Sequence, residues 1–261
     1  MEQAAASSFP PCVNSAESAG SEDKTGLHIV ISEYVTSPDN CAPGQPPAIR
    51  RFPLTDFATA IDGIVSVGQR LYRAGQAPAT AGNYSQRLDD GSIAITASGT
   101  HKGRLTSAQV MRVDNEGNPL DRGKPSAETL LHTMIYAIDP SARAVLHTHS
   151  VPGTVLSRAL VGHESIVLTG FELLKVFPHH TTHDTSVSIP LVDNSQDMPS
   201  LAARLRSLLR TQAQPLPVFY LRGHGLYVWG ASLDRAEMLA EGTEFLLACA
   251  WEEWKANRGE P

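Results

Sequence analysis

The chain has 261 residues and a mass of 28.0 kDa, with 41% hydrophobic and 18% charged residues, enough for one large domain with its own core. Its net charge of −6 runs against a general nucleic-acid or anionic-membrane binder, which needs a basic balance. Cys12, Cys41 and Cys249 lack any metal-type spacing, no apolar run nears the ~18 residues of a membrane span, and the start has no signal-peptide pattern. A soluble, cytoplasmic protein is the expectation.

Residues 1–50 hold six of the 18 prolines and many small polar residues, and such a stretch buries too little apolar area to offset its ordering entropy. They are expected to form a largely disordered extension, with a short strand possible at 27–35, ahead of one catalytic domain at 51–261. Phe57, Ile61, Ile64, Val65, Leu71 and Tyr72 recur at helical spacing, and Gly75 stands where a helix stop is wanted. Residues 82–88 then lead through Asp89-Asp90-Gly91 into the alternating Ile93, Ile95 and Ala97, a hairpin pattern. A strand is expected at 110–113. Ser126 reads as the N-cap of a helix carrying Leu130, Leu131, Met134, Ile135 and Ile138 and ended by Pro140. Strands follow at 144–149 and 187–192, then a helix around Leu201, Leu205, Leu208 and Leu209. A strand pair at 218–229 is broken by Gly223, and a long helix at 232–254 closes the chain. Without regular strand–helix alternation or a glycine-rich fingerprint, the class expected is α/β of the α+β type: a mostly antiparallel central sheet with helices on its faces.

Ten histidines in an acidic chain raise the question of metal chemistry. His147 and His149 are two apart on a strand and so project from the same face, placed either to share an ion or to sit as two surface imidazoles. His224 lies between Gly223 and Gly225, which permit close approach from a turn. Three neutral imidazoles and an open position suit catalytic rather than structural zinc. His179, His180 and His183 read as a solvated loop and His132 as a half-buried helix residue. His28, His101 and His163 are isolated.

Gly82-Asn83-Tyr84-Ser85, Ser98-Gly99, Lys124-Pro125-Ser126-Ala127-Glu128, His147-Thr148-His149 and Gly223-His224-Gly225 occur in the order of the class II aldolase/adducin-like family, which the chain resembles over roughly residues 54–254. The resemblance extends to a branch that dehydrates a phosphorylated ketose. It implies one zinc ion per subunit on His147, His149 and His224, Glu172 as the general acid/base, and a metal-proximal role for Glu128. Gly82, Asn83, Ser98, Gly99 and Ser126 would line a phosphate pocket, Ser126 from a helix N-terminus, with Lys124 or Lys102 adding charge. A small sugar-phosphate substrate and a homotetramer are likewise implied, and neither a nucleic acid nor a membrane is an expected partner. Retro-aldol cleavage or 4-epimerisation of another ketose phosphate is the alternative chemistry.

Overall fold

A computed structural model of the chain describes residues 55–212 and 215–257. The extension expected at 1–50, and the strand at 27–35 within it, lie outside the described residues.

The first helix, α1 (Phe57–Arg73), starts where the Asp56 carboxylate accepts the Thr59 N–H at 2.8 Å. It buries Ala60, Ile64, Val67 and Leu71 along one face. Gly75, just beyond its end, takes the left-handed conformation at φ 75°. The expected hairpin forms from β1 (Asn83–Arg87) and β2 (Ile93–Thr96), and β3 (Val110–Val113) continues it. The next helix, α2 (Thr129–Ile138), begins later than expected. Ser126 is therefore not its N-cap. Its carbonyl accepts the Thr129 N–H at 3.0 Å in a lead-in turn, and Glu128 occupies the cap position.

Strand β4 (Ala144–Thr148) stops one residue short of His149. Two elements that periodicity did not reveal follow, the helix α3 (Val151–Ala159) and the strand β5 (Ser165–Thr169). Then come β6 (Ser186–Asp193), α4 (Met198–Arg210), β7 (Val218–Arg222), β8 (Gly225–Gly230) and the long α5 (Leu233–Asn257). No described helix is long and apolar enough to cross a membrane.

The eight strands form one sheet in the order β3-β2-β1-β4-β8-β7-β6-β5, in which only β6 and β7 run parallel. This is the mostly antiparallel sheet expected. Helices α1, α3 and α5 cover one face through a core that includes Ile64, Leu146, Leu156, Leu239 and Leu246. The opposite face meets α2 and α4 through Leu131, Ile135, Val145, Leu205, Phe219 and Trp229. Register positions the site: Asn83, His147, Tyr227 and Phe219 are direct cross-strand neighbours on β1, β4, β8 and β7. Cross-strand partners share a face, so this polar and aromatic row lies on the α2 side.

Candidate active site

The three histidines singled out by spacing converge. Each offers one nitrogen, and these ligand atoms lie within 4.8 Å of one another. His147 is fully buried on β4, with its ring stacked on Tyr227 at 4.0 Å between centroids. Its Nδ1–H donates to the Leu226 carbonyl at 2.9 Å, which fixes the tautomer and leaves the Nε2 lone pair free. That nitrogen is 2.9 Å from Nε2 of His149. His224 comes from the tight β7–β8 turn, where Gly223 has φ 65°. Gly225 is required for another reason: a Cβ there would stand 2.2 Å from the Thr148 carbonyl and 2.8 Å from the His147 ring. Burial disfavours the imidazolium, pushing His147 well below the usual range and His149 down to about 4. His147 and His149 held neutral, three nitrogens at chelating distance and, among the described residues, no cysteine in the group fit a catalytic zinc with an open position.

Glu128 reaches this cluster from the start of α2, with Oε1 3.0 Å from His224 Nε2 and 3.6 Å from His147 Nε2. Burial works against its charge, yet the His224 hydrogen bond and the electrostatic interaction with the neighbouring imidazoles hold it below the ordinary carboxylate range. The Asn83 amide donates to its other oxygen at 2.5 Å. Tyr227 is fully buried, and burial together with the nearby Glu128 carboxylate pushes its phenol well above the ordinary range.

Beside the histidines lies a partly open cavity of about 150 Å³. Its walls include Gly82, Asn83, Ser98, Gly99 and Ser126, all five of the residues expected around a phosphate, together with Glu128, His149 and His224. Gly82 (φ 79°) passes so close to β4 that a Cβ would meet the His147 carbonyl at 2.6 Å. The Ser98 N–H is consumed by the Lys124 carbonyl at 2.9 Å, so Ser98 can offer a ligand only its hydroxyl. The cation of the cavity is Lys102 rather than Lys124. Lys102 is 1% exposed, and its Nζ donates to the carbonyls of Thr80 and Thr100 at 3.1 and 2.7 Å. Burial lowers it to about 8, with Glu128 opposing the shift. The Lys124 side chain is exposed and does not line the cavity.

Glu172 is not brought to this cluster within the chain. It opens a 3-10 turn (Glu172–Val176) after β5, exposed and ion-paired with Lys175, with His183 at 3.5 Å. β5 is the edge strand, three strands from β8, so roughly 14 Å at the usual ~4.8 Å spacing. The turn is anchored to α5, where Arg235 donates to the Val176 carbonyl at 2.7 Å. His179, His180 and His183 lie in an irregular segment as expected. His132, expected half-buried, is fully buried and hydrogen-bonded at both nitrogens. Tyr227 and His132 are the site residues that sequence reasoning missed, because their partners are distant in sequence; Lys102 is one of the two lysines the sequence offered.

Residues 62–251 match the family described as the Class II Aldolase and Adducin N-terminal domain. The chain is 48% identical over 204 residues to the methylthioribulose-1-phosphate dehydratase of Gluconacetobacter diazotrophicus, covering 77% of this chain and 97% of that one. It is 50% identical over 195 residues to the enzyme of that name from Gluconobacter oxydans, covering 74% and 91%. Among solved structures, L-fuculose-1-phosphate aldolase from Thermus thermophilus aligns with a TM-score of 0.62 at 25% identity, over 77% of this chain and 97% of that one. With the family model spanning most of the chain and relatives at 48% and 50% identity covered over nearly their whole length, the chain belongs to the class II aldolase/adducin family.

Proposed function

We propose that the protein dehydrates 5-methylthioribulose 1-phosphate to 2,3-diketo-5-methylthiopentyl 1-phosphate, a step of methionine salvage, as a cytoplasmic homotetramer with one zinc per subunit. The observation that carries this reading is the joining, in one cavity, of an open three-histidine centre to a lining of small polar residues and one buried lysine. The names of the relatives, at 48% and 50% identity, support the substrate.

His147, His149 and His224 would hold zinc, which when bound supplies a Lewis acid for the substrate ketone. Lys102 and the hydroxyls of Ser98 and Ser126, with the backbone around Gly82, Asn83 and Gly99, would receive the phosphate, Lys124 remaining at the margin. Glu128, ionised and fixed by Asn83, accepts a substrate hydroxyl. Glu172 takes the proton from C3. The electrons of that C–H bond form the C3=C4 double bond as the C4–O bond breaks, hydroxide leaving as water with the returned proton. The resulting enol tautomerises to the diketone. Because Glu172 stands roughly three strand spacings from β8 in its own chain, it would be delivered from a neighbouring copy. A second reading, an aldolase or 4-epimerase on another ketose phosphate, draws on the fuculose-phosphate aldolase likeness.

Co-expressing two inactive variants, Glu172→Gln and His147→Ala, tests the delivery. Activity should return in the mixed assembly, where one wild-type site can form. Near-normal turnover by Glu172→Gln alone would remove it from the mechanism, and no recovery on mixing would place both residues in one chain's site.

A further inference from the structure

We propose that His132 is a positioning residue that acts through Asn83 to hold the Glu128 carboxylate, leaving one oxygen saturated and the other turned to the histidine triad. The proposal rests on the reading that Glu128 works at the substrate.

Helix period and strand parity meet here. Glu128, His132 and Tyr136 are successive i, i+4 positions on one face of α2, and Asn83 and Ser85 are i, i+2 on the facing side of β1. The contacts form one continuous chain. The Tyr136 hydroxyl lies 2.9 Å from Ser85 Oγ, which lies 2.7 Å from His132 Nδ1. His132 Nε2 bonds to Asn83 Oδ1. The Asn83 amide nitrogen is 2.5 Å from Glu128 Oε2, while Oε1 faces His224 at 3.0 Å.

Only one polarity satisfies every link. The ionised Glu128 accepts, so Asn83 must present its NH2 group to it and its carbonyl oxygen to His132. His132 must then carry its proton on Nε2, Nδ1 must accept from Ser85, and Ser85 accepts from Tyr136. Turning the Asn83 amide over would set its oxygen against the carboxylate and its NH2 against an N–H. The His132 ring forbids that flip. An apolar residue would fill this helix face equally well, and burying an imidazole completely costs free energy that packing does not return. A histidine here is explained by the donor it gives to Asn83. Burial also keeps the ring neutral, down to about 3, so the tautomer persists throughout the working range.

The test compares His132→Asn with His132→Gln. The glutamine amide extends to where Nε2 stands and retains a donor for Asn83, whereas the asparagine amide ends where Nδ1 stands and does not. His132→Asn should lower kcat by ~10- to 100-fold, the worth of one hydrogen bond to a charged network, with KM and bound zinc within about twofold. His132→Gln should recover most of that loss at a similar Tm. In a Glu128→Gln background, adding His132→Asn should cost less than about threefold. Equal losses in the two variants, a change confined to KM or zinc, or an undiminished effect in the Glu128→Gln background would overturn the positioning role. Normal turnover by Glu128→Gln alone would instead overturn the reading of Glu128 on which it stands. Should His132→Asn not fold, Ser85→Ala, which leaves Nδ1 without its donor, should lower kcat by ~3- to 10-fold at unchanged KM. An unchanged kcat in that variant would refute the chain of contacts.

Discussion

Gly225→Ala probes how tightly the histidine centre is built. Gly225 is not in the left-handed region, so alanine brings no backbone penalty of that kind, and its effect is one of space. The added Cβ would lie 2.2 Å from the Thr148 carbonyl oxygen and 2.8 Å from Cε1 of His147. Ordinary contact needs more than 3 Å, so β4 and β8 must separate by about 1 Å at this point or the His147 ring must turn. Overpacking of this kind costs ~1–3 kcal/mol of stability. The consequence for metal is larger, because ligand distances tolerate only about 0.2 Å, and the His147 orientation is set by the Leu226 carbonyl on the same strand. Zinc content by mass spectrometry should fall well below one per subunit, while thermal unfolding remains cooperative with a Tm lower by several degrees. Gly91→Ala serves as comparison: its φ of 85° strains alanine, but nothing lies within 4 Å of the new Cβ, so it should lose ~1–2 kcal/mol and keep its zinc. Full zinc occupancy with unchanged Tm in Gly225→Ala would refute the close approach of the two strands.

Lys102 should impose an alkaline limit. It is lowered to about 8 by burial, so its cation is present below that pH and lost above it. kcat/KM for a phosphorylated substrate should fall by up to about tenfold per pH unit above 8, and Lys102→Met should abolish that slope while raising KM. A profile unchanged by the substitution would exclude Lys102 from phosphate binding. Acid should affect the metal centre less than three free imidazoles would suggest. His147 and His149 are neutral far below their ordinary range, so zinc binding near pH 6 should displace no more than about one proton. Calorimetry in buffers of different ionisation enthalpy measures this, and release of two or more protons would contradict the burial argument.

The sequence made the elements with strong periodicity plain. The buried face of α1, the β1–β2 hairpin and the long α5 followed from spacing alone, and strand parity paired His147 with His149 although β4 ends at Thr148. What stayed hidden has physical causes. Pro152 and Gly153 interrupt any apolar periodicity over α3, yet proline suits a first helical turn, Ser150 caps the Gly153 N–H at 3.1 Å, and a Cβ at Gly153 would stand 2.7 Å from the Tyr220 hydroxyl. β5 is a short edge strand whose Val167 is exposed, giving little pattern to read. Ser126 has the right chemistry for a cap, but the cap position falls two residues later, at Glu128. Between two nearby lysines, sequence had no means of seeing that backbone carbonyls at Thr80 and Thr100 draw Lys102 inward. The hydrogen-bonding role of His132 is hidden in the sequence because its partners, Asn83 and Ser85, lie 49 and 47 positions away.

The most direct measurement is the product formed from 5-methylthioribulose 1-phosphate by zinc-loaded protein, followed by NMR alongside metal analysis. One diketone per substrate consumed, with one zinc per subunit and both lost in His147→Ala, is the predicted result. Cleavage between C3 and C4 to one three-carbon and one two-carbon carbonyl fragment, or dehydration by protein stripped of metal, would contradict it.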